Sequence, residues 1–125
     1  MSEKQRILIV DDEPDHLMAL RLIMEREERF EILTAGDTVD AELILQKGPI
    51  DLMILDIALP GESGLEFCHR IKKKEEYRQL PVIALSAYPD DIWRDKALEA
   101  GCSEFIAKPS DPKEILEAVN KFVAS

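Results

Sequence analysis

Three acidic residues follow two strongly apolar segments, and their spacing could support metal-assisted phosphoryl chemistry. Asp11 and Asp12 come directly after the run Ile7–Val10, and Asp56 comes directly after Leu52–Leu55. If both runs are parallel strands of one sheet, they end at the edge where open α/β sheets bind ligands. Carboxylates held that close repel one another, and a hard divalent cation such as Mg²⁺ relieves the repulsion. The sequence therefore predicts a Mg²⁺ site beside a candidate nucleophile, Asp56.

Each of these acidic residues also has a simpler structural interpretation. Asp56 is followed by Ile57–Gly61, a segment rich in turn-forming residues, and could cap that loop or the next helix. Asp11 and Asp12 could form a solvated acidic loop or cap a helix that begins near Pro14. The functional interpretation depends on the joint placement of the three carboxylates, because each one taken alone favours the structural role.

Two further polar residues follow later strand-like segments. Ser86 comes after residues 81–85 and Lys108 comes after residues 104–107, so both would reach the same edge of the sheet. A hydroxyl donor and an ammonium group opposite carboxylates are suited to a phosphoryl group, whose charge they would stabilise. A turn hydroxyl for Ser86 and a surface salt bridge for Lys108 are the structural alternatives.

The elements that must position these residues alternate regularly along the chain. Near-continuous apolar runs, typical of parallel strands buried on both faces, occur at 6–10, 30–35, 50–55, 81–85 and 104–107. Helical spacing of apolar residues and capping signals predict helices at about 13–27, 37–47, 63–74, 89–100 and 111–124. Five β-α units with right-handed crossovers predict an α/β fold, a doubly wound five-stranded parallel sheet with five helices.

Helix boundaries are marked by capping residues. Ser63 with Glu66 has the form of a capping box, and Asp111 is a candidate N-cap before a proline. Gly48 and Gly101 follow predicted helices, where a left-handed residue is often needed. These signals predict where the helices next to the candidate site begin and end.

Composition and charge exclude several classes of function. The chain has 125 residues, of which 16 are basic and 26 are acidic, for a net charge of −10. This balance argues against direct binding to nucleic acid or anionic membranes, since both need basic patches. No apolar run approaches the roughly 18 residues of a membrane span. We expect one cytoplasmic domain, because the N-terminal residues also lack the apolar stretch of a secretory signal.

The two cysteines give little functional signal in the sequence. Cys68 and Cys102 are predicted to lie in separate helix-like segments, and their spacing is not that of a metal site. We expect free thiols in a reducing compartment.

The polar residues and their surroundings resemble the four signatures of response-regulator receiver domains, the chemotaxis-regulator-like domains of two-component signalling. The segments Val10–Asp12, Leu55–Gly61, Ser86–Ala87 and Lys108–Pro109 match these signatures in order and at the usual spacing. Each signature is weak alone, but the set of four is specific and covers the whole chain. The resemblance implies a flavodoxin-like topology and a single receiver domain over residues 1–125.

The resemblance also implies a role for each residue of the metal site. Asp56 would be the phosphoacceptor. Asp12 and Asp56 would ligate Mg²⁺ together with the backbone carbonyl of Ala58, and Asp11 would act largely through water. Two places after the acceptor the family often has a polar or charged residue, whereas this chain has Ala58, and Tyr88 lies two places after Ser86. These departures predict slow self-hydrolysis of the phosphoryl group.

The implied reaction transfers a phosphoryl group from a phosphohistidine of a histidine kinase or phosphotransfer protein to Asp56. Ser86 and Lys108 would bind the phosphoryl group. Phe105 matches the family's aromatic switch position, although a plain core phenylalanine is the alternative. Its inward rotation would change the surface of helix four, strand five and helix five for a downstream output protein or domain. Such a receiver is not an enzyme in the usual sense, since it catalyses only its own phosphorylation and dephosphorylation.

Other functional classes are less consistent with the sequence. A receiver-like module that no longer accepts phosphate is the main alternative, and the presence of all five polar site residues argues against it. Magnesium-dependent phosphatases with an aspartyl phosphate usually need a second aspartate two residues after the nucleophile, where this chain has Ala58. Flavin or dinucleotide binding is disfavoured because no glycine-rich loop follows the first strand.

Overall fold

A computed structural model of the chain describes residues 4–87, 91–108 and 111–123. The strands are β1 (Gln5–Val10), β2 (Phe30–Ala35), β3 (Leu52–Asp56), β4 (Val82–Ser86) and β5 (Glu104–Ala107). The helices are α1 (Pro14–Glu25), α2 (Thr38–Lys47), α3 (Gly64–Lys72), α4 (Asp91–Glu99) and α5 (Pro112–Phe122), with a 3₁₀ turn at Glu75–Tyr77. Strands and helices thus alternate as the sequence predicted.

The five strands form one parallel sheet in the order β2-β1-β3-β4-β5, which confirms the predicted fold class. The chain passes from β1 to β2 on one side and then returns to place β3 on the other side of β1. The ends of β1 and β3 therefore flank the point where strand order reverses, which is where open α/β sheets bind ligands. In the register of the sheet Asp56 pairs with Leu85, and Ser86 pairs with Ala107. The carboxyl ends of β3, β4 and β5 are thus aligned.

Both faces of the sheet are covered by helices, which explains the near-continuous apolar strands. Along β1, Ile7 and Ile9 belong to a core cluster with residues of α1 and α5. Leu8 and Val10 belong to the opposite cluster, with residues of α2, α3 and α4. All five residues of β3 are buried, so the strand that carries Asp56 is held on a rigid base.

Two of the predicted helix N-termini have the expected caps. The Ser63 hydroxyl accepts a hydrogen bond from the backbone N–H of Glu66 (3.2 Å), and the Glu66 carboxylate accepts one from the N–H of Ser63 (3.1 Å). This reciprocal capping box begins α3. The Asp111 side chain accepts from the backbone N–H of Lys113 (2.9 Å) and caps α5. Within the described chain, no helix combines the length and apolar content that crossing a membrane requires.

The prediction of a left-handed residue after α2 is wrong, whereas the one after α4 is confirmed. Gly101 has a φ of 105°, which glycine adopts without strain. Gly48 has a φ of 178° and is therefore extended. The cause is Pro49, because a proline disfavours the helical region for the residue before it and favours an extended backbone.

The position of one cysteine also differs from the prediction. Cys68 lies in α3, but Cys102 lies in the turn between α4 and β5 rather than in a helix. The difference arises because α4 ends at Glu99 and the left-handed Gly101 then redirects the chain toward β5. Both cysteines are free thiols and both are buried.

Candidate functional site

Four carboxylates meet at the carboxyl edge of the sheet, as the spacing of three of them predicted. One carboxylate oxygen from each residue lies within 4.8 Å of the others. Asp11 and Asp56 are buried, with 1% and 2% of their surface exposed, whereas the other two carboxylates are exposed to solvent. We call this group the acidic cluster; its members are Asp11, Asp12, Glu13 and Asp56.

Lys108 places its ammonium group among these carboxylates. Its Nζ atom lies 2.7 Å from Asp56 Oδ2, 3.3 Å from Glu13 Oε1 and 3.7 Å from Asp11 Oδ2. The residue follows β5, and its backbone N–H donates to the carbonyl oxygen of Ser86 (2.6 Å). That bond extends the pairing of β4 with β5 by one residue. The lysine is therefore aimed by the sheet rather than by a free surface loop.

The loop after β3 fixes the second oxygen of Asp56. Oδ1 accepts a hydrogen bond from the backbone N–H of Ala58 (3.0 Å). The loop then closes on the start of α3, where the N–H of Gly64 donates to the carbonyl oxygen of Ile57 (2.8 Å). A Cβ atom at Gly64 would lie 2.9 Å from the Cα of Ile57 and would also meet the backbone oxygen of Asp56. Only glycine allows this close approach of helix and acceptor strand.

Asp56 and Lys108 form a buried ion pair, and the pKa values of both groups are raised. Burial raises the pKa of Asp56 above its ordinary value, even though the hydrogen bond from Lys108 lowers it. Burial lowers the pKa of Lys108. The hydrogen bond to Asp56 and the nearby acidic charges raise it by more, so the pKa of Lys108 lies above its ordinary value. In a simple buried ion pair the pKa of the acid falls while that of the base rises. Here both rise, because the pair is buried and several carboxylates share one ammonium group.

Two residues at the site were missed by the sequence interpretation. Glu13 belongs to the acidic cluster, and His16 contacts Asp11 through its Nδ1 atom. The same aspartate accepts a hydrogen bond from the backbone N–H of Glu13 (2.8 Å). A usable signal was present: α1 begins at Pro14, so His16 is in its first turn, where side chains reach back toward the preceding loop.

Ser86 lies at the same sheet edge as the acidic cluster, whereas Phe105 lies in the hydrophobic core. Ser86 ends β4 with 1% of its surface exposed, at the same edge as the acidic cluster. Phe105 is 4% exposed and packs in the core, and the guanidinium of Arg94 in α4 lies 5.2 Å from its ring centroid. The side chain predicted to rotate inward is thus already buried in this structure. Tyr88, which the sequence linked to phosphoryl lifetime, lies outside the described residues.

The acidic cluster is suited to Mg²⁺. Its donors are all carboxylate oxygens, the ligand type that this hard cation prefers. Lys108 offsets only part of the negative charge of the four carboxylates, which leaves an imbalance. A divalent cation would correct it, and the exposed Asp12 leaves the group accessible from solvent.

Comparison with known proteins gives the same family along nearly the whole chain. The family described as response regulator receiver domain matches residues 7–120. The chain is 36% identical over 110 residues to the cyclic di-GMP phosphodiesterase response regulator RpfG of Xanthomonas campestris, covering 87% of this chain and 29% of that protein. It is also 36% identical over 114 residues to the phosphate regulon transcriptional regulatory protein PhoB of Rhizobium meliloti, covering 91% and 50%. The chain therefore spans half or less of the length of these two relatives.

A solved structure shows the same fold at a lower sequence identity than these two relatives. The CheY-like response regulator receiver domain protein of Methanospirillum hungatei superposes with a TM-score of 0.85 and 27% sequence identity. The similarity covers 95% of this chain and 93% of that one. The doubly wound sheet with its flanking helices is thus a receiver-type, flavodoxin-like fold.

Proposed function

This chain belongs to the response regulator receiver domains, the phosphoacceptors of two-component signalling, and from this premise we propose that Asp56 accepts the phosphoryl group. The observation that carries the proposal is the placement of Asp56 Oδ2 at 2.7 Å from Lys108 Nζ within the acidic cluster. The family membership and the single five-stranded sheet also support treating residues 1–125 as one receiver domain.

The reaction is a transfer from nitrogen to oxygen. A carboxylate oxygen of Asp56 attacks the phosphorus of a phosphohistidine, the phosphorus–nitrogen bond breaks, and the imidazole nitrogen keeps the electron pair. Lys108 then pairs with a phosphoryl oxygen instead of Asp56 Oδ2, and Ser86 donates its hydroxyl hydrogen to another. Both groups reach this edge because β4 and β5 end side by side. The receiver thus promotes its own phosphorylation by the phosphohistidine donor and the later hydrolysis by water.

Mg²⁺ is the cofactor that this proposal includes. Asp12, Asp56 and the backbone carbonyl of Ala58 would hold it, with Asp11 acting largely through water. When bound, the cation supplies positive charge that stabilises the phosphoryl oxygens. The four clustered carboxylates support this assignment.

The partners follow from the two-component setting. The phosphoryl donor is a histidine kinase or a histidine phosphotransfer protein, which locates the exchange in the cytoplasm, where kinases obtain ATP. The output surface is formed by α4, β5 and α5 and serves a downstream protein or domain. Two features support it: Ile92 and Leu98 of α4 are 63% and 51% exposed, and Arg94 connects α4 to Phe105 of β5. Phosphorylation would act on this surface through Ser86 and Phe105.

The test is intact-mass measurement after incubation with acetyl phosphate and Mg²⁺. We expect one phosphoryl adduct on the wild type and none on Asp56→Asn or in the presence of EDTA. Asp51→Asn is a matched control, because Asp51 directly precedes the opposite end of β3 and its side chain accepts from the backbone N–H of Arg6 (2.7 Å). It should be phosphorylated like the wild type. An adduct that persists in Asp56→Asn would show that the acceptor is another residue.

The lifetime of the adduct provides a second measurement. The methyl group of Ala58 cannot orient a water molecule, so we propose slow hydrolysis once phosphate has been transferred. Ala58→Asn should lose its phosphoryl group faster than the wild type, followed by mass after removal of acetyl phosphate. Equal decay of the two proteins would contradict this role for position 58.

A further inference from the structure

Two cysteines that are distant in the sequence pack sulfur to sulfur in the core. Cys68 in α3 and Cys102 in the turn between α4 and β5 are 34 residues apart, and their Sγ atoms lie 3.7 Å apart. They are the two cysteines of the chain. Cys68 is fully buried and Cys102 is 5% exposed. The contact therefore joins two segments that the acidic cluster does not use.

A lysine lies over this pair. Lys72 is one helical turn after Cys68, and its amine donates to the carbonyl oxygens of Leu80 and Arg78, the latter at 3.3 Å. A Cβ atom at Gly101 would lie 2.9 Å from Lys72 Cγ, so the turn that carries Cys102 presses against the lysine stem. Lys72 belongs to a run of three lysines at the end of α3, yet it is half-buried and its charge interacts with both cysteines.

This environment favours ionisation of one thiol. The hydrogen bond from the Cys102 thiol lowers the pKa of Cys68, burial opposes that effect, and the charge of Lys72 lowers it further. The neighbouring Cys68 and burial raise the pKa of Cys102. A thiolate beside a protonated thiol is the arrangement from which a disulfide can form, because the thiolate is the nucleophile.

We propose that Cys68 and Cys102 form a reversible dithiol–disulfide site that is oxidised by hydrogen peroxide. The Cys68 thiolate attacks one peroxide oxygen and displaces hydroxide, which gives a sulfenic acid. The Cys102 sulfur then attacks the Cys68 sulfur, and the sulfenic oxygen leaves as water together with the Cys102 proton. In total two thiols lose two electrons and two protons to one peroxide, which becomes two waters. A dithiol reductant reverses the reaction by exchange.

The geometry requires only a short movement. A disulfide bond is about 2.05 Å long, so the two sulfur atoms, now 3.7 Å apart, must approach by about 1.7 Å. Cys102 lies outside the regular elements, in the turn next to the left-handed Gly101, and its backbone N–H donates to the carbonyl oxygen of Ala97 in α4 (3.0 Å). Because Cys102 is slightly exposed at this turn, small oxidants can reach the cysteine pair from solvent. The product would tie α3 to the segment that leads into β5.

The decisive experiment uses the wild-type protein without denaturant. After treatment with peroxide the protein is alkylated under denaturing conditions, analysed by intact mass and by peptide mapping, and run on a non-reducing gel. We expect a monomer that has lost two hydrogens, has no alkylatable thiol, and yields a peptide linking Cys68 with Cys102. Dithiothreitol should restore both thiols. The oxidised protein should also have a higher Tm, because the cross-link restricts the unfolded chain.

Three variants sharpen the test. Cys68→Ala and Cys102→Ala should each lose the linked peptide and the rise in Tm on oxidation. Lys72→Met keeps the stem against Gly101 but removes the charge, and we expect it to slow oxidation roughly threefold or more.

The proposal would be overturned if both cysteines remained as free thiols after a peroxide treatment that fully oxidises an equal amount of a model thiol. Intermolecular dimers, or a link that forms only in denatured protein, would also overturn it. Peptide mapping of the wild-type protein tests the proposal even if a variant does not fold.

Discussion

Two groups of charged side chains on this molecule differ in how far their charges are balanced. In the acidic cluster, Lys108 forms ion pairs with three of the four carboxylates. Between α2 and α3, two acidic and two basic residues pair with one another, and we call them the helical ion-pair network. Its members are Glu42, Glu62, Arg70 and Lys74. The first group has an excess of negative charge, and the second is neutral.

The pKa of Asp56 is shifted in the opposite direction from the pKa values of the two carboxylates in the helical ion-pair network. The hydrogen bond from Arg70 lowers the pKa of Glu62. Burial raises the pKa of Glu42, but hydrogen bonds from Lys74 and Arg70 produce a net decrease. The pKa of Asp56 is raised instead. Burial is the chief cause of that rise. A partly exposed network with paired charges stabilises the fold, whereas a buried carboxylate in an incompletely neutralised group at a sheet edge is a candidate ligand site.

The largest expected effect comes from changing the shape of the site without changing its charge. Gly64→Ala would push a methyl group against the backbone of Asp56 and Ile57. We expect a loss of about 3 kcal/mol in the free energy of unfolding, measured by urea denaturation. Gly36→Ala is the control, since a Cβ there would meet nothing within 4 Å. Equal stability of the two variants would contradict the close approach at Gly64.

Mg²⁺ should affect one group and leave the other unchanged. At about ten times its dissociation constant, a ligand of the folded state raises the free energy of unfolding by about 1.4 kcal/mol. We expect that gain in the wild type and in Arg70→Met, but not in Asp12→Asn. The measurement is chemical denaturation with Mg²⁺ or EDTA at matched ionic strength. A gain retained by Asp12→Asn would place the cation elsewhere.

Removing one carboxylate from the unbalanced group should stabilise the metal-free protein. Because the pKa of Asp56 is raised in the folded state, its ionised form lowers stability as the pH rises above the ordinary value of 3.8. Asp56→Asn should therefore unfold at a higher urea concentration than the wild type at pH 7 in EDTA, and the difference should shrink toward pH 4. A loss of stability would mean that the pairing with Lys108 outweighs the burial of the charge.

The same substitution type should have the opposite and smaller effect in the helical ion-pair network. The pKa of Glu62 is lowered, so its contribution is present above the ordinary value of 4.5 and is lost as the pH falls through the folded-state pKa. Glu62→Gln should cost about 0.5 kcal/mol at pH 7, since the pair is partly exposed. The difference from wild type should vanish at acid pH and in high salt. A gain in stability would remove the contrast between the two groups.

Short-range patterns in the sequence predicted the strands, the helices and most of the site. Contacts that depend on long-range packing could not be predicted in this way. The apolar strands and the residues after them predicted that Asp11, Asp56 and Lys108 would meet, because parallel strands end at one edge. The contact between His16 and Asp11 depends on how α1 leaves its loop, which a strand pattern does not contain. The roles of Ser86 and the Ala58 carbonyl remain predictions from the family resemblance.

Other differences have equally local causes. Gly48 was expected to be left-handed because it follows a helix, but the next residue, a proline, decided its conformation. The sulfur contact of Cys68 with Cys102 depends on how two crossover connections pack side by side, and spacing along the chain does not encode that distance. Lys72 stands in a run of charged residues, a pattern that gives no sign that its stem is packed against Gly101.

The strand order also determines when the site is assembled during synthesis. β1 pairs with β2 and β3, so Asp11 and Asp56 can be brought together by the first half of the chain alone. Lys108 arrives only after β4 and β5 have been added at the far edge of the sheet. A nascent chain that pairs β1 with β3 at this stage would meet the repulsion between its carboxylates before it could form the ion pair that offsets it. Free divalent cations should consequently speed the early steps of folding, long before any phosphoryl group is bound.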